Sequence, residues 1–237
     1  MGSNTESYKK QAAEAAVELV KSGMVLGLGH GSTVQYALEA LAAKLKEHQL
    51  KEIVAVPCSK QTEAEAWRLG IPLADLNDHH RLDLTLDGAD EVDPQLNLIK
   101  GGGGALLREK IVAQASRREL IMVDEGKVSP ALGTRCALPV EVSPFGWKRQ
   151  QDFIAELGGK AKLRLDQKGD PMLSDQGNYL LDCNFGPIAD AHDLANLLEA
   201  RSGILEHGLF LNLTTDLIVA GTHGVEHRQA ASSRKKF

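Results

Sequence analysis

A chain of 237 residues with 27 Lys plus Arg against 32 Asp plus Glu carries a formal charge of -5. There is no basic excess to neutralise phosphates, which argues against a nucleic-acid partner. Its 43% hydrophobic and 25% charged residues argue against wholesale disorder, and five Phe, three Tyr and two Trp are too few for base-stacking platforms.

At roughly 150 residues per domain the length predicts one or two domains, with a core that needs no staples or metals. Cys58, Cys136 and Cys183 are an odd set without C-x-x-C spacing, so neither a disulfide framework nor a structural zinc site is expected. No run approaches the 18 or so apolar residues of a membrane span, and MGSNTESYKK lacks the apolar centre of a secretion signal. A cytosolic protein without membrane contact is the expectation.

The first helix is marked by Ala12, Ala15, Ala16, Leu19 and Val20, with Gly23 as its expected C-terminal cap. Residues 24–29 read as a buried strand, and Ser32 with Gln35 as a capping box opening a second helix along Val34, Leu38, Leu41 and Leu45. Strands are predicted at 52–57, 82–87 and 119–124, and helices at 59–69 and 105–115. Strands alternating with helices predict a doubly wound, mostly parallel α/β sheet.

The rhythm changes near Ala137. A strand at 137–142, a helix at 147–157, antiparallel strands at 162–166 and 178–185 and a helix at 191–200 predict a small α+β unit. Segments 209–213 and 216–219 are expected to rejoin the first sheet. The boundaries expected are 1–136 plus 204–226 for the larger domain, 137–203 for the smaller, and a disordered polar tail at 227–237.

Four motifs fall at the ends of successive strands. Gly27–Thr33, between a strand and a helix, has glycines that admit a ligand to the backbone, a helix N-terminus and the hydroxyls of Ser32 and Thr33. It matches neither a dinucleotide fingerprint nor a P-loop, so it reads as an anion loop for a small molecule or as a tight turn. Asp87, Gly88, Ala89, Asp90 and Glu91 place three carboxylates at a strand's C-terminal end, where open α/β sheets bind ligands; a metal-ligand cluster and a merely acidic turn are the alternatives. Lys100 precedes four glycines, Gly101 to Gly104, and then a helix bearing Glu109, about two turns in. The glycines suit a close approach to a ligand, and Glu109 is either a solvated helical residue or, if buried, a general base. Lys127, in DEGK, is a phosphate contact or a surface lysine. His79 and His80 make no metal-ligand pattern, and no G-x-S-x-G elbow occurs. Cys58 is expected to be a buried thiol.

In this order GLGHGST, TLDGADE, KGGGGALLREK and DEGK closely resemble the type A ribose-5-phosphate isomerases, as do PVEV (139–142), SDQGNYLLD (174–182) and EHGLF (206–210). The resemblance spans about residues 9–225. It implies a Rossmann-like core with a smaller α+β lid domain, a homodimer, no metal or organic cofactor, and exchange of ribose 5-phosphate with ribulose 5-phosphate in the pentose phosphate pathway. It also implies that His30, Gly31, Ser32, Thr33, Asp87, Gly88, Ala89, Asp90, Lys100, Gly101, Gly102, Gly103 and Lys127 line the sugar phosphate site. Glu109 corresponds to the base, with Lys100 and the glycine amides at the enediolate oxygens and Asp87 or Asp90 opening the sugar ring. Lys9 is a weaker addition. Two departures stand out: His30 occupies a position where the family usually has Thr, and Gly126 one where Ser or Ala often precedes the lysine. The competing readings are a sugar-phosphate sensor, which would need a second helix before the first strand for a DNA-binding module, and an acyl-transfer enzyme using Glu109 on a thioester.

Overall fold

The computed structural model describes residues 2–230. They form two compact units. The larger comprises the chain up to Ala89, Arg108–Lys127 and the chain from Asn212; the smaller comprises Asp90–Leu107 and Val128–Leu211.

The larger unit is built on a six-stranded sheet. Its strands are β1 (Val25–Leu28), β2 (Val54–Pro57), β3 (Leu84–Asp87), β6 (Glu119–Asp124), β12 (Asp216–Gly221) and β13 (Gly224–Gln229), in the order β13-β12-β6-β3-β1-β2. Every pairing is parallel except β12 with β13. Helices α1 (Gly2–Val17), α2 (Ser32–Lys46) and α3 (Lys60–Arg68) belong to this unit, as does most of α4 (Leu106–Ala115). On one face Ala12, Ala13 and Ala16 of α1 and Val34, Ala37, Leu38 and Leu41 of α2 share a core with Leu26, Leu28, Leu84, Leu86, Leu120 and Met122. The small alanines let α1 approach closely. On the other face Cys58, buried as expected, packs with Val56, Leu82 and Val112.

Strand order reverses about β1: the chain runs to β2 on one side and then to β3 on the other. That reversal leaves a crevice beyond the C-terminal ends of β1 and β3, the usual ligand position in open α/β sheets. The loops after these two strands are Gly29–Gly31 and Gly88–Ala89.

The smaller unit holds an antiparallel sheet of β7 (Leu138–Val142), β8 (Lys160–Leu163), β9 (Tyr179–Asn184) and β10 (Ile204–His207), ordered β10-β7-β9-β8. Helices α5 (Trp147–Glu156) and α6 (Ala191–Glu199) supply Ile154, Leu194 and Leu198 to a core with Val140, Val142, Leu181 and Cys183. A second, three-stranded sheet joins β4 (Glu91–Val92), β5 (Leu98–Ile99) and β11 (Leu209–Phe210).

Several expectations are corrected. The first helix stops at Val17, after which the Leu19 and Val20 amides bond three residues back to Ala16 and Val17; Gly23 instead turns the chain at φ 82 and bonds Lys51. Ser32 is not a cap: Gly31 holds that position and no side chain caps α2. Segment 209–213 does not rejoin the first sheet, because Leu209 and Phe210 pair with Ile99 and Leu98. The strand expected at 162–166 begins at Lys160 and ends at Leu163. The compact units also divide the chain differently from the expected 1–136, 137–203 and 204–226, since 90–107, 128–136 and 204–211 cluster with the antiparallel sheet. Of the tail expected at 227–237, His227–Gln229 form the end of β13, and 231–237 lie outside the described residues.

Candidate active site

In the larger unit, β1 and β3 approach so closely that only glycine fits between them. A Cβ on Gly27 would lie 1.9 Å from Thr85 Oγ1, and one on Gly29 would lie 2.0 Å from Asp87 Oδ1. Asp87, 1% exposed, uses Oδ1 to accept the amides of His30 at 3.1 Å and Gly88 at 2.7 Å. The carboxylate thereby ties the loop after β1 to the turn after β3. Gly31, at φ 115, swings the chain into α2. Ser32 is exposed and Thr33 half-buried in the first turn of that helix, and neither hydroxyl bonds to a described residue. Uncapped amides and two hydroxyls make a donor-rich site for an anion.

His30 is half-buried, with Nδ1 2.9 Å from Ser59 Oγ. Ser59 caps α3 by accepting the Thr62 amide at 3.0 Å, and Thr62 Oγ1 donates to the Gly29 carbonyl at 2.8 Å. At the end of β6, Asp124 accepts the Gly126 amide and Glu125 accepts from Thr222, which folds a 3₁₀ turn that presents Lys127. Lys127 is half-buried and forms no ion pair with a described residue. Lys9 instead pairs with Glu6 one turn earlier on α1.

Glu109 is only 3% exposed and sits in the first turn of α4, one turn earlier than the sequence suggests. The solvated-face reading therefore fails. Free amides in a helix's first turn favour a carboxylate there, whereas burial makes its charge costly.

In the smaller unit, the short hairpin of β4 and β5 brings Asp90 back against the residues that follow β5. The Asp90 amide bonds the Ile99 carbonyl at 2.9 Å, and its Oδ2 accepts the Gly102 amide at 2.7 Å. Lys100 is 2% exposed, with Nζ 5.5 Å from the Phe210 ring centroid. Gly101 and Gly104 take φ of 99 and 84, and the Gly104 amide closes on the Gly101 carbonyl at 3.0 Å. A Cβ on Gly101 would stand 2.9 Å from Leu106 Cβ.

Glu91, the third carboxylate of the acidic turn, points away from this chemistry. Fully buried, it accepts the amides of Gly133, Thr134 and Arg135 at 2.9, 3.1 and 3.0 Å and fastens that segment. Sequence reasoning missed Ser59 and Thr62 behind His30, and Arg164, whose guanidinium bonds the carbonyls of Gly101 and Gly102. Serine before a helix is a visible cap signal, but nothing near Arg164 in the chain marks it. Among the described residues no group of three or more His, Cys, Asp or Glu is placed to hold a metal ion.

Loops at a strand-order reversal, donors for an anion and a buried helical carboxylate define an α/β enzyme of acid–base chemistry on small anionic molecules. Comparison with known proteins makes this specific. The family described as ribose 5-phosphate isomerase A (phosphoriboisomerase A) matches residues 54–224. Ribose-5-phosphate isomerase A of Chloroflexus aurantiacus is 57% identical over 224 residues, covering 94% of each chain. That of Desulfatibacillum aliphaticivorans is 52% identical over 226 residues, covering 95% of this chain and 98% of its own. A solved D-ribose-5-phosphate isomerase in complex with phospho-erythronic acid superposes with a TM-score of 0.93 at 38% identity, covering 95% of this chain and 99% of its own. The Methanocaldococcus jannaschii ribose 5-phosphate isomerase A gives a TM-score of 0.90 at 36% identity, covering 94% and 99%. The chain belongs to the ribose 5-phosphate isomerase A family.

Proposed function

We propose that the protein interconverts D-ribose 5-phosphate and D-ribulose 5-phosphate through a cis-enediolate, as a step of the non-oxidative pentose phosphate pathway. The observation that carries this reading is the burial of Glu109, because a proton-transferring carboxylate needs a site sheltered from water. Glu109 removes the C2 proton of the open-chain aldose, and the electron pair forms the C1–C2 double bond as charge moves onto the carbonyl oxygen. Asp87 or Asp90 then carries the O2 hydroxyl proton to O1, and return of the first proton to C1, with the C2–O2 carbonyl forming, gives the ketose. Lys100 and the amides of Gly101, Gly102 and Gly103 stabilise the developing oxygen charge. Asp87 or Asp90 moves hydroxyl protons during ring opening, and Gly88 and Ala89 bring the chain close to the sugar. Gly31, Ser32, Thr33 and Lys127 hold the phosphate, with His30 beside them, so that binding energy from the non-reacting end positions the carbons.

Family membership supports the substrate, and phospho-erythronic acid on the solved relative fits the chemistry: its carboxylate has the planar, anionic shape of an enediolate. We place the enzyme in the cytosol as a homodimer that needs no cofactor; no helix among the described residues is long and apolar enough to cross a membrane.

Incubation with ribose 5-phosphate in deuterated solvent tests the proposal. Ketose formation with C2 proton exchange is expected. Glu109→Gln should lose about 10²–10⁴ in kcat, together with the exchange, while KM moves little. Wild-type kcat and exchange in that variant would transfer the role to Asp87 or Asp90. Heat of binding without product would leave a sensor, and activity only with a CoA thioester would leave a transferase.

A further inference from the structure

We propose that Arg164 is a positioning residue that aims the backbone amides of the glycine loop, an inference that rests on that loop's role at the reacting oxygens. Arg164 directly follows β8, and its side chain is 13% exposed. The residue is pinned at its backbone, where its amide bonds the Leu180 carbonyl at 2.8 Å and its carbonyl accepts the Met172 amide at 2.9 Å. The guanidinium then works on two sides. Nε and Nη2 grip the carboxylate of Asp182, on β9, at 3.1 and 2.5 Å. Nη1 donates to the Gly101 carbonyl at 2.9 Å and to the Gly102 carbonyl at 3.1 Å.

A trans peptide holds its C=O and N–H pointing in opposite directions. Turning the Gly101 carbonyl toward the guanidinium therefore turns the Gly102 amide away from it, and there that amide meets Asp90 Oδ2 at 2.7 Å. Holding the Gly102 carbonyl turns the Gly103 amide away from Arg164 by the same rule. Gly103 is exposed, and its amide bonds to no described residue, so it is a donor presented outward. Glycine peptides rotate at little steric cost, and a run of four has no side chains to choose a direction. The Gly104 amide shares the Gly101 carbonyl and Asp90 holds the Gly102 amide, so the guanidinium's distinct contribution is the Gly102 carbonyl and, through it, the direction of the Gly103 amide, with Asp182 setting the guanidinium's orientation. Lysine cannot substitute, because one ammonium on a flexible stem lacks the planar fork that bonds a carboxylate and two carbonyls together. Phosphate binding is assigned to other segments, so Arg164 should affect the enediolate more than the ground state.

The test compares wild type, Arg164→Lys and Asp182→Asn. It measures kcat and KM for ribose 5-phosphate, Kd for phospho-erythronic acid, competition by inorganic phosphate, and Tm. In Arg164→Lys, kcat is expected to fall between about 10- and 100-fold, the cost of misplaced groups near the chemistry. Affinity for phospho-erythronic acid should weaken with it, while inorganic phosphate stays within about twofold of wild type, since uniform binding is untouched. Asp182→Asn should move in the same direction by less. Guanidinium ion added to Arg164→Ala should restore part of kcat. Unchanged kcat in Arg164→Lys overturns the inference. So does a parallel loss of affinity for both ligands together with a fall in Tm, which is the mark of a merely structural pair. If wild type itself produces no ketose, the isomerase reading falls, and selective loss of phospho-erythronic acid binding still decides the role of Arg164.

Discussion

His30 sits at the head of a directed chain of hydrogen bonds. Thr62 Oγ1 donates to the Gly29 carbonyl, and Ser59 Oγ spends its only proton on Thr62 Oγ1 at 2.9 Å. Ser59 Oγ can then only accept, so the imidazole nitrogen 2.9 Å away, Nδ1, carries a proton. A second proton, on Nε2, would make the ring a cation beside the anion loop, whose backbone Asp87 holds at the His30 amide. Protonation should therefore strengthen phosphate binding. His30→Thr, which removes the imidazole, is expected to flatten the dependence of KM on pH. An unchanged KM profile in that variant would show that the ring takes no part in anion binding. Turnover should also survive exhaustive chelation, because every role above is filled by side chains and amides. Activity lost in EDTA and restored by a divalent ion contradicts that. What sequence could say of these residues was their type and neighbours. It could not say that Glu109, between Arg108 and Lys110, is buried, because helical burial depends on what packs there.

The elements were legible in proportion to their burial and length. Strands β1, β3 and β6 sit inside a parallel sheet, covered on both faces, so their sequences are apolar runs that stand out from polar loops. β4, β5 and β11 are two residues each, too short for any periodicity, yet they place Asp90 and Lys100. β13 is an exposed edge strand, and its GVEHRQ reads as loop or tail. Ser32 and Gln35 spell a capping box that does not form, since Gly31 at φ 115 already takes the cap position. That glycine leaves the first turn of α2 open to an anion, where a serine cap would have used one of its amides. The close pairing of β1 with β3 gives a direct test. Gly29→Ala puts a methyl 2.0 Å from Asp87 Oδ1, so the carboxylate that holds the His30 amide must shift. Overpacking of this kind costs about 1–3 kcal/mol, seen as a lower Tm, and KM should rise because the anion loop loses its anchor. Gly70→Ala meets nothing within 4 Å and bears only the strain of φ 74, so its KM should stay at the wild-type value. Equal KM values in the two variants would show that the anchor is unimportant.

At the scale of the whole molecule, the larger unit's sheet is closed at one edge by a carboxylate that no motif announces. Asp216 opens β12 and is 2% exposed. Arg118, just before β6, grips it through Nε and Nη2 at 3.1 and 2.9 Å. Thr215 Oγ1 donates at 2.7 Å, and His227 and Gln229 of β13 reach it at 2.9 and 3.2 Å. These partners are separated by up to 98 residues, so only the finished strand order brings them together. Burial raises the carboxyl's pKa, but the hydrogen bonds from Arg118, Thr215, His227 and Gln229 outweigh it and hold the group at about 2. In the unfolded chain an aspartate titrates near ~3.9. A depressed folded value means that the contribution is complete above about pH 4 and lost as pH falls toward about 2. Because Arg118 and His227 are each more than a third exposed, solvent screens the network, and its contribution is of order 1–2 kcal/mol. Asp216→Asn should therefore lower the unfolding free energy measured with urea at pH 7 by that amount. Its stability should also decline less steeply than that of wild type between pH 4 and 2, so that the two curves converge in acid. Parallel acid limbs would mean that Asp216 keeps an ordinary pKa and that the edge of the sheet is held by its backbone ladder alone.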